Sequence, residues 1–173
     1  MKSMLPGSTS LCSHTTCALA RWISSGFGSG YARVAPGTVG SFVALLFLAL
    51  LWWFEVVVTT LDGAVLAGVT LVVGYLATQV TTRDISDPDP GWIVIDEWAG
   101  LFLALIGTSL SSPLMVLAAF GLFRLFDVVK PGPVGWAERL PGAVGIMADD
   151  VVAGMLAGLS VQAVWYLWGV VLA

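Results

Sequence analysis

Apolar residues in this chain come in long blocks rather than in the three-and-four spacing of a soluble amphipathic helix. Five blocks stand out, at about 39–54 (extendable toward 58), 64–80, 92–107, 113–126 and 150–172. A helix needs about 20 apolar residues to cross the hydrocarbon of a bilayer. By that measure the fifth block is a full crossing and the first is slightly short unless Glu55 reaches the interface. The fourth is too short to span without tilt, partial embedding or extension at its ends. Residues 22–27, just before the first block, predict an interfacial helix or a re-entrant turn. The pattern predicts an all-α integral membrane protein, a compact bundle of about five hydrophobic helices with one short or partly embedded. Trp52, Trp53, Trp165 and Trp168 fit an aromatic belt at one interface. Residues 1–20 read as a poorly ordered N-terminal extension and 21–173 as one polytopic domain.

Composition agrees. Hydrophobic residues make up 58% of the 173 and charged residues only 10%, against roughly 25% charged in soluble domains; mean hydropathy is +0.94. A net charge of −4 with no basic patch excludes nucleic acid as a partner. No sustained apolar run precedes Arg21, so no secretory signal is predicted. Cys12 and Cys17 flank His14, but this C-x-H-x-x-C cluster has no fourth ligand for zinc and reads as two reduced, incidental thiols.

Charge position changes the picture more than charge content. All seven basic residues fall before the first block, between the second and third, or at and after the end of the fourth. The opposite loops hold none, which places the N-terminus and the motif loops in the cytoplasm. Of the eleven acids, all but Glu55 and Asp62 lie on that same side. Carboxylates for a divalent cation beside cations for a phosphate describe metal-assisted phosphoryl chemistry.

Four stretches supply those groups. The first, 28–41, is rich in glycine, so its backbone N–H groups can approach an oxyanion, with Thr38 and Ser41 as hydroxyl donors and Arg33 nearby; a helix starting near Thr38 would aim its positive end at the same place. A linker followed by an N-cap is the plainer alternative. The second ends in Asp96-Glu97-Trp98-Ala99-Gly100. Adjacent acids on a helix diverge by about 100°, so Asp96 and Glu97 cannot both point at one ion without distortion, and Asp96 shares the face of Gly100. In the third, Arg124, Asp127 and Lys130 recur at steps of three along one side if the helix continues to Lys130. They form either an intrahelical ion pair or a phosphate grip with Asp127 on a metal or on the arginine. The fourth, Asp149-Asp150-Val151-Val152-Ala153-Gly154, repeats the D-x-x-A-G spelling of the second. Asp150, Gly154 and Gly158 form a small-residue stripe on which two helices could pack closely and bring Asp96 and Asp150 together. Asp149 can serve as a helix cap, which leaves the cost of a membrane-edge carboxylate at Asp150 to be explained by function.

Together Ala35-Pro36-Gly37-Thr38-x-Gly40-Ser41, Ile93-Val94-Ile95-Asp96-Glu97-x-x-Gly100, Phe123-Arg124-x-Phe126-Asp127-x-x-Lys130-Pro131-x-Pro133 and Gly145-Ile146-Met147-x-Asp149-Asp150-x-x-Ala153-Gly154 resemble the phosphatidylglycerophosphatase A family. The four motifs are co-linear and cover about 28–158. The resemblance implies a small multi-pass protein of the bacterial inner membrane that hydrolyses the terminal phosphate of phosphatidylglycerophosphate with Mg²⁺, giving phosphatidylglycerol. Its site would lie at the cytoplasmic face. In that reading Asp96 and Asp150 hold Mg²⁺, and Glu97, Asp127 and Asp149 complete the shell or position water. Arg124 and Lys130, with Arg33, Gly37, Thr38 and Ser41, bind the substrate phosphate. Two rivals share the carboxylates. A CDP-alcohol-type phosphatidyltransferase would need a D-G-x-x-A-R signature, which Asp62-Gly63 does not begin. A small cation transporter would want its acids near mid-membrane.

Overall fold

The computed structural model describes residues 13–57, 59–83, 85, 87 and 90–172. Within them the chain is helical throughout, with seven α-helices and no strand. Helix α1, His14–Ser24, is started by Ser13, whose hydroxyl accepts the Thr16 N–H at 3.2 Å. The N-terminal extension expected through residue 20 is therefore helical from His14, and Ala20 is buried where α1 packs on the third helix. Cys17 is disulfide-bonded rather than reduced; Cys12, the other cysteine of the sequence, lies outside the described residues.

After α1 the chain reverses through Gly26, Phe27 and Gly28, all at positive φ, and a short 3₁₀ turn follows at Ser29–Tyr31. Of the segment expected at 22–27 as an interfacial helix or a turn, residues 22–24 end α1 and the rest forms this turn. Phe27 is held in its left-handed conformation by edge-on contacts with Trp22 (4.6 Å between centroids) and Trp98 (5.3 Å). Helix α2, Pro36–Trp53, starts at a proline, whose missing N–H costs nothing in the first turn. Helix α3, Thr60–Thr82, opens on a capping box between Thr59 and Asp62.

Helix α4, Ile95–Leu105, has 11 residues or about 16 Å, half the hydrocarbon thickness. Nine of those residues are buried, because α4 lies inside the bundle against α2, α3, helix α5, Pro113–Val129, and the last helix, α7, Ala143–Leu172. The fourth block, expected to be short or extended at its ends, forms the 17-residue α5, which runs on to Val129 and is not among the helices long enough to span, and the third block is cut at both ends. A turn in which Pro90 accepts the Ile93 N–H delays its start, and Gly107 at φ 76 follows its end. Unwound backbone at membrane depth must be satisfied from within the protein. Gln162 donates to the Ile106 carbonyl at 2.9 Å and Thr108 to the Leu105 carbonyl at 2.7 Å. A polar-walled cavity of about 330 Å³ opens there among Thr59, Thr60, Thr108 and Ser109.

A short helix α6, Pro133–Ala137, precedes α7, Ala143–Leu172, which begins seven residues before Asp150 rather than at it. Helices α2, α3 and α7 are long and apolar enough to cross a membrane, and the protein is a helical membrane protein. Direction alternates along α2, α3, α4, α5 and α7. Their contacts put the starts of α2, α4 and α7 with the ends of α3 and α5 at one head of the bundle. Both motif loops share that head, as the sequence pattern required.

Candidate active site

Two helix starts build the centre of the head. Helices α4 and α7 run in the same direction and touch through glycine. A Cβ placed on Gly154 would overlap the carbonyl oxygen of Gly100, one on Gly100 would lie 2.6 Å from the Asp150 carbonyl oxygen, and one turn on a Cβ at Gly158 would lie 3.0 Å from the Ala104 carbonyl oxygen. Only bare backbone permits this approach. The equivalent residues of the two D-x-x-A-G motifs are thereby brought side by side, and the charges of Asp96, Asp127, Glu97 and Asp149 all bear on Asp150.

The neighbouring acids diverge, as helical geometry demands. Glu97 turns toward α2, where Gly37 leaves room for its carboxylate: a Cβ there would overlap Oε1. Its Oε2 accepts the Ser41 hydroxyl at 3.2 Å and its Oε1 stands 3.5 Å from Arg124 Nη1. Arg124, near the end of α5, ties the cluster together. Its Nη1 also meets Asp127 Oδ2 at 2.8 Å and Ser41 Oγ at 3.2 Å, and its Nη2 donates to Thr38 Oγ1 at 3.4 Å. Its buried Nε–H finds no acceptor among the described residues. At 15% and 12% exposure the Arg124 and Glu97 side chains are screened little by water.

On the other side Asp149 accepts the Asp150 N–H at 3.0 Å through Oδ1 and Lys130 Nζ at 3.0 Å through Oδ2. Lys130 does not continue the helical stripe of Arg124 and Asp127. It is the C-cap of α5 in a left-handed conformation, φ 49, and this swings it toward α7 and Glu138. Partial burial works to lower its pKa, but the hydrogen bonds it donates to Glu138 and Asp149 outweigh that and hold it above the ordinary lysine value. Glu138, which the motif reading left out, is Lys130's second partner. The only hint in the sequence is an acid eight residues on, across the Pro131-Gly132-Pro133 turn.

Of the expected site residues, Asp96, Glu97, Arg124, Asp127, Lys130, Asp149 and Asp150 converge on this head, with Gly37, Thr38 and Ser41 from α2. Two depart from expectation. Ser41 is fully buried, and its one proton goes to the Gly37 carbonyl at 2.9 Å or to Glu97, so it braces the cluster instead of facing a phosphate. Arg33 is exposed in the loop before α2 and makes no ion pair among the described residues. At the start of α2 no side chain caps the helix. Of the first two N–H positions after Pro36, those of Gly37 and Thr38 remain the donors aimed past the helix end.

Among the described residues no three acids, histidines or cysteines already stand in a coordinating arrangement. The donor chemistry nonetheless fits a hard divalent cation. Asp150 Oδ1 is buried without a hydrogen-bond partner, and all the candidate donors are carboxylate oxygens, the ligands that Mg²⁺ takes alongside several waters. Asp96 gives one oxygen to the Glu97 N–H at 3.0 Å. Glu97 and Asp149 are engaged with Arg124 and Lys130.

A family profile described as phosphatidylglycerophosphatase A matches residues 22–165. A phosphatidylglycerophosphatase A of Haemophilus influenzae is 37% identical over 149 residues, covering 83% of this chain and 87% of that one. The Escherichia coli protein of the same name is 35% identical over 147 residues, 84% and 83% of the two chains. A Bacteroides thetaiotaomicron protein provisionally named a phosphatidylinositol-3-phosphatase is 35% identical over 136 residues, 77% and 85%. No solved structure matches.

Proposed function

The chain belongs to the phosphatidylglycerophosphatase A family, and from that premise we propose that it hydrolyses the terminal phosphate of phosphatidylglycerophosphate in phospholipid biosynthesis. The phosphoryl group passes to water, leaving phosphatidylglycerol and inorganic phosphate. The observation that carries the reading is the meeting, at one head of the bundle, of the Asp96 and Asp150 carboxylates with Arg124 and the uncapped start of α2. Acids alone would repel a phosphomonoester; here a cation and backbone donors stand beside them.

Asp96 and Asp150 would hold Mg²⁺, which when bound offsets phosphate charge and polarises the phosphoryl oxygens. Glu97 and Asp149 hold Arg124 and Lys130 in place. The unused Nε–H of Arg124 and the N–H groups of Gly37 and Thr38 receive phosphoryl oxygens, where charge grows during transfer. Asp127, fixed on Arg124 Nη1, keeps the guanidinium plane in register and orients water. The sidedness of the basic residues supports a site at the cytoplasmic face of the inner membrane.

The test is phosphate release by the purified full chain in detergent from phosphatidylglycerophosphate, with and without Mg²⁺. Phosphatidic acid and phosphatidylinositol 3-phosphate run beside it, since a relative carries a name from the latter substrate. Mg²⁺-dependent release from phosphatidylglycerophosphate is expected. A folded protein that releases nothing from it under either condition removes the reading, and preferential release from the inositol lipid reassigns the head group.

A further inference from the structure

We infer that one acyl chain of the lipid substrate lies in the cleft between α2 and α5, so that the substrate enters the head sideways from the leaflet. The inference rests on the lipid-phosphatase reading and adds the path and the seat of the chain. Helices α2 and α5 both pack on α4 but do not pack on each other along their length. At the head Arg124 bridges them, reaching Thr38 and Ser41. Farther down they enclose a wholly apolar cleft of about 350 Å³, lined on α2 by Leu45, Ala49 and Trp52 and on α5 by Pro113, Val116 and Leu117.

Helical spacing makes bridge and cleft one continuous face. On α2, Thr38, Ser41, Leu45, Ala49 and Trp52 follow each other at three or four residues; on α5 the order is Arg124, Gly121, Leu117, Pro113. Gly121, between the bridge and the cleft, is exposed, and a Cβ on it would meet no atom within 4 Å. From Thr38 to Trp52 the face runs about 21 Å at 1.5 Å per residue, enough to take a chain past the middle of hydrocarbon about 30 Å thick. Charge distinguishes this groove from two others. The groove between α3 and α7, lined by Leu71, Met147 and Val151, has no basic residue in its lining. The groove between Trp22 and Phe47 ends among aromatic rings. Of these three, the α2–α5 cleft is the one whose two helices are bridged at the head by a guanidinium.

Gly121→Phe puts a ring where the backbone is open and leaves the catalytic groups untouched; Gly68→Phe, at an equally open site on α3, is the control. For Gly121→Phe we expect KM for a dipalmitoyl substrate to rise about tenfold or more, the equivalent of a few methylenes displaced from apolar contact. KM for the dihexanoyl substrate and the behaviour of Gly68→Phe should not change. Equal effects on both chain lengths, or none, overturn the inference. A phosphatidic acid probe with a mid-chain diazirine, photolysed with the wild-type chain, reads occupancy without turnover. Cross-links at Leu45, Ala49 or Leu117 support the cleft, and cross-links confined to any other groove overturn it. If the wild type binds the probe in the cleft yet hydrolyses no lipid, the phosphatase reading fails and the seat stands.

Discussion

Gly100 and Gly154 meet backbone to backbone: neither can carry a side chain without α4 and α7 moving apart. Because each glycine lies four residues after an aspartate, this contact sets the relation between Asp96 and Asp150.

Gly154→Ala should therefore cost more than an ordinary glycine substitution. Its methyl would strike the Gly100 carbonyl, which is backbone and cannot rotate away. Overpacking of this kind costs about 1–3 kcal/mol or more, and the separation of the aspartates should abolish most turnover. Thermal unfolding in detergent, with Gly68→Ala as a site open to a methyl, checks the first effect and phosphate release the second. Equal melting temperatures for the two variants would mean that the helices are not held by this contact.

Asp150→Asn removes a charge on which four other acids bear. Without Mg²⁺ the variant should melt at a higher temperature than the wild type, because like-charge repulsion is relieved. The wild type should gain stability as Mg²⁺ is added, following the linkage of a ligand that binds only the folded state, and the variant should not. A wild-type melting temperature indifferent to Mg²⁺ would rule out the Asp96–Asp150 ion site.

Arg124→Lys should behave as a severe change. The guanidinium reaches Asp127, Glu97, Ser41 and Thr38 at once, and a single ammonium cannot span that fork. Loss of a preorganised donor to the reacting phosphate is worth about 10²–10³ in kcat. A kcat within a few-fold of wild type, with KM unchanged, would show that Arg124 is structural only.

Ser41→Ala should lower kcat by less than Arg124→Lys does, since Ser41 only braces Glu97 and Arg124. Leaving buried polar partners unsatisfied costs about 1–3 kcal/mol, which thermal unfolding reads directly. If Ser41→Ala instead raised KM alone, the hydroxyl would be touching the substrate.

Glu138→Gln tests the second cation. Lys130 would keep Asp149 but lose the charge of its other partner. Activity should fall modestly, whereas Lys130→Met, which strands the buried Asp149, should cost stability on the order of 3–5 kcal/mol. Equal melting temperatures for Lys130→Met and wild type would show that the pair contributes nothing to the fold.

Sequence alone determined the membrane class, the alternation of direction and the single charged head, because long apolar blocks and the sidedness of Lys and Arg are local properties that the bilayer forces on any chain. It also determined that Asp96 and Asp150 could be neighbours, since a small residue one turn after each aspartate is a helical spacing legible in one dimension. Tertiary structure decided what spacing cannot carry. Which block is half-length depended on where Pro90 and Gly107 interrupt backbone hydrogen bonding inside the bundle, not on block hydrophobicity. Where Lys130 goes depended on a left-handed cap after Val129, which sent it from the Arg124 stripe to Glu138 and Asp149. And whether Ser41 faces a phosphate or braces Glu97 depended on burial between helices whose packing sums contacts from several distant segments. Spacing fixes which residues share a face; only the assembled bundle fixes what that face meets.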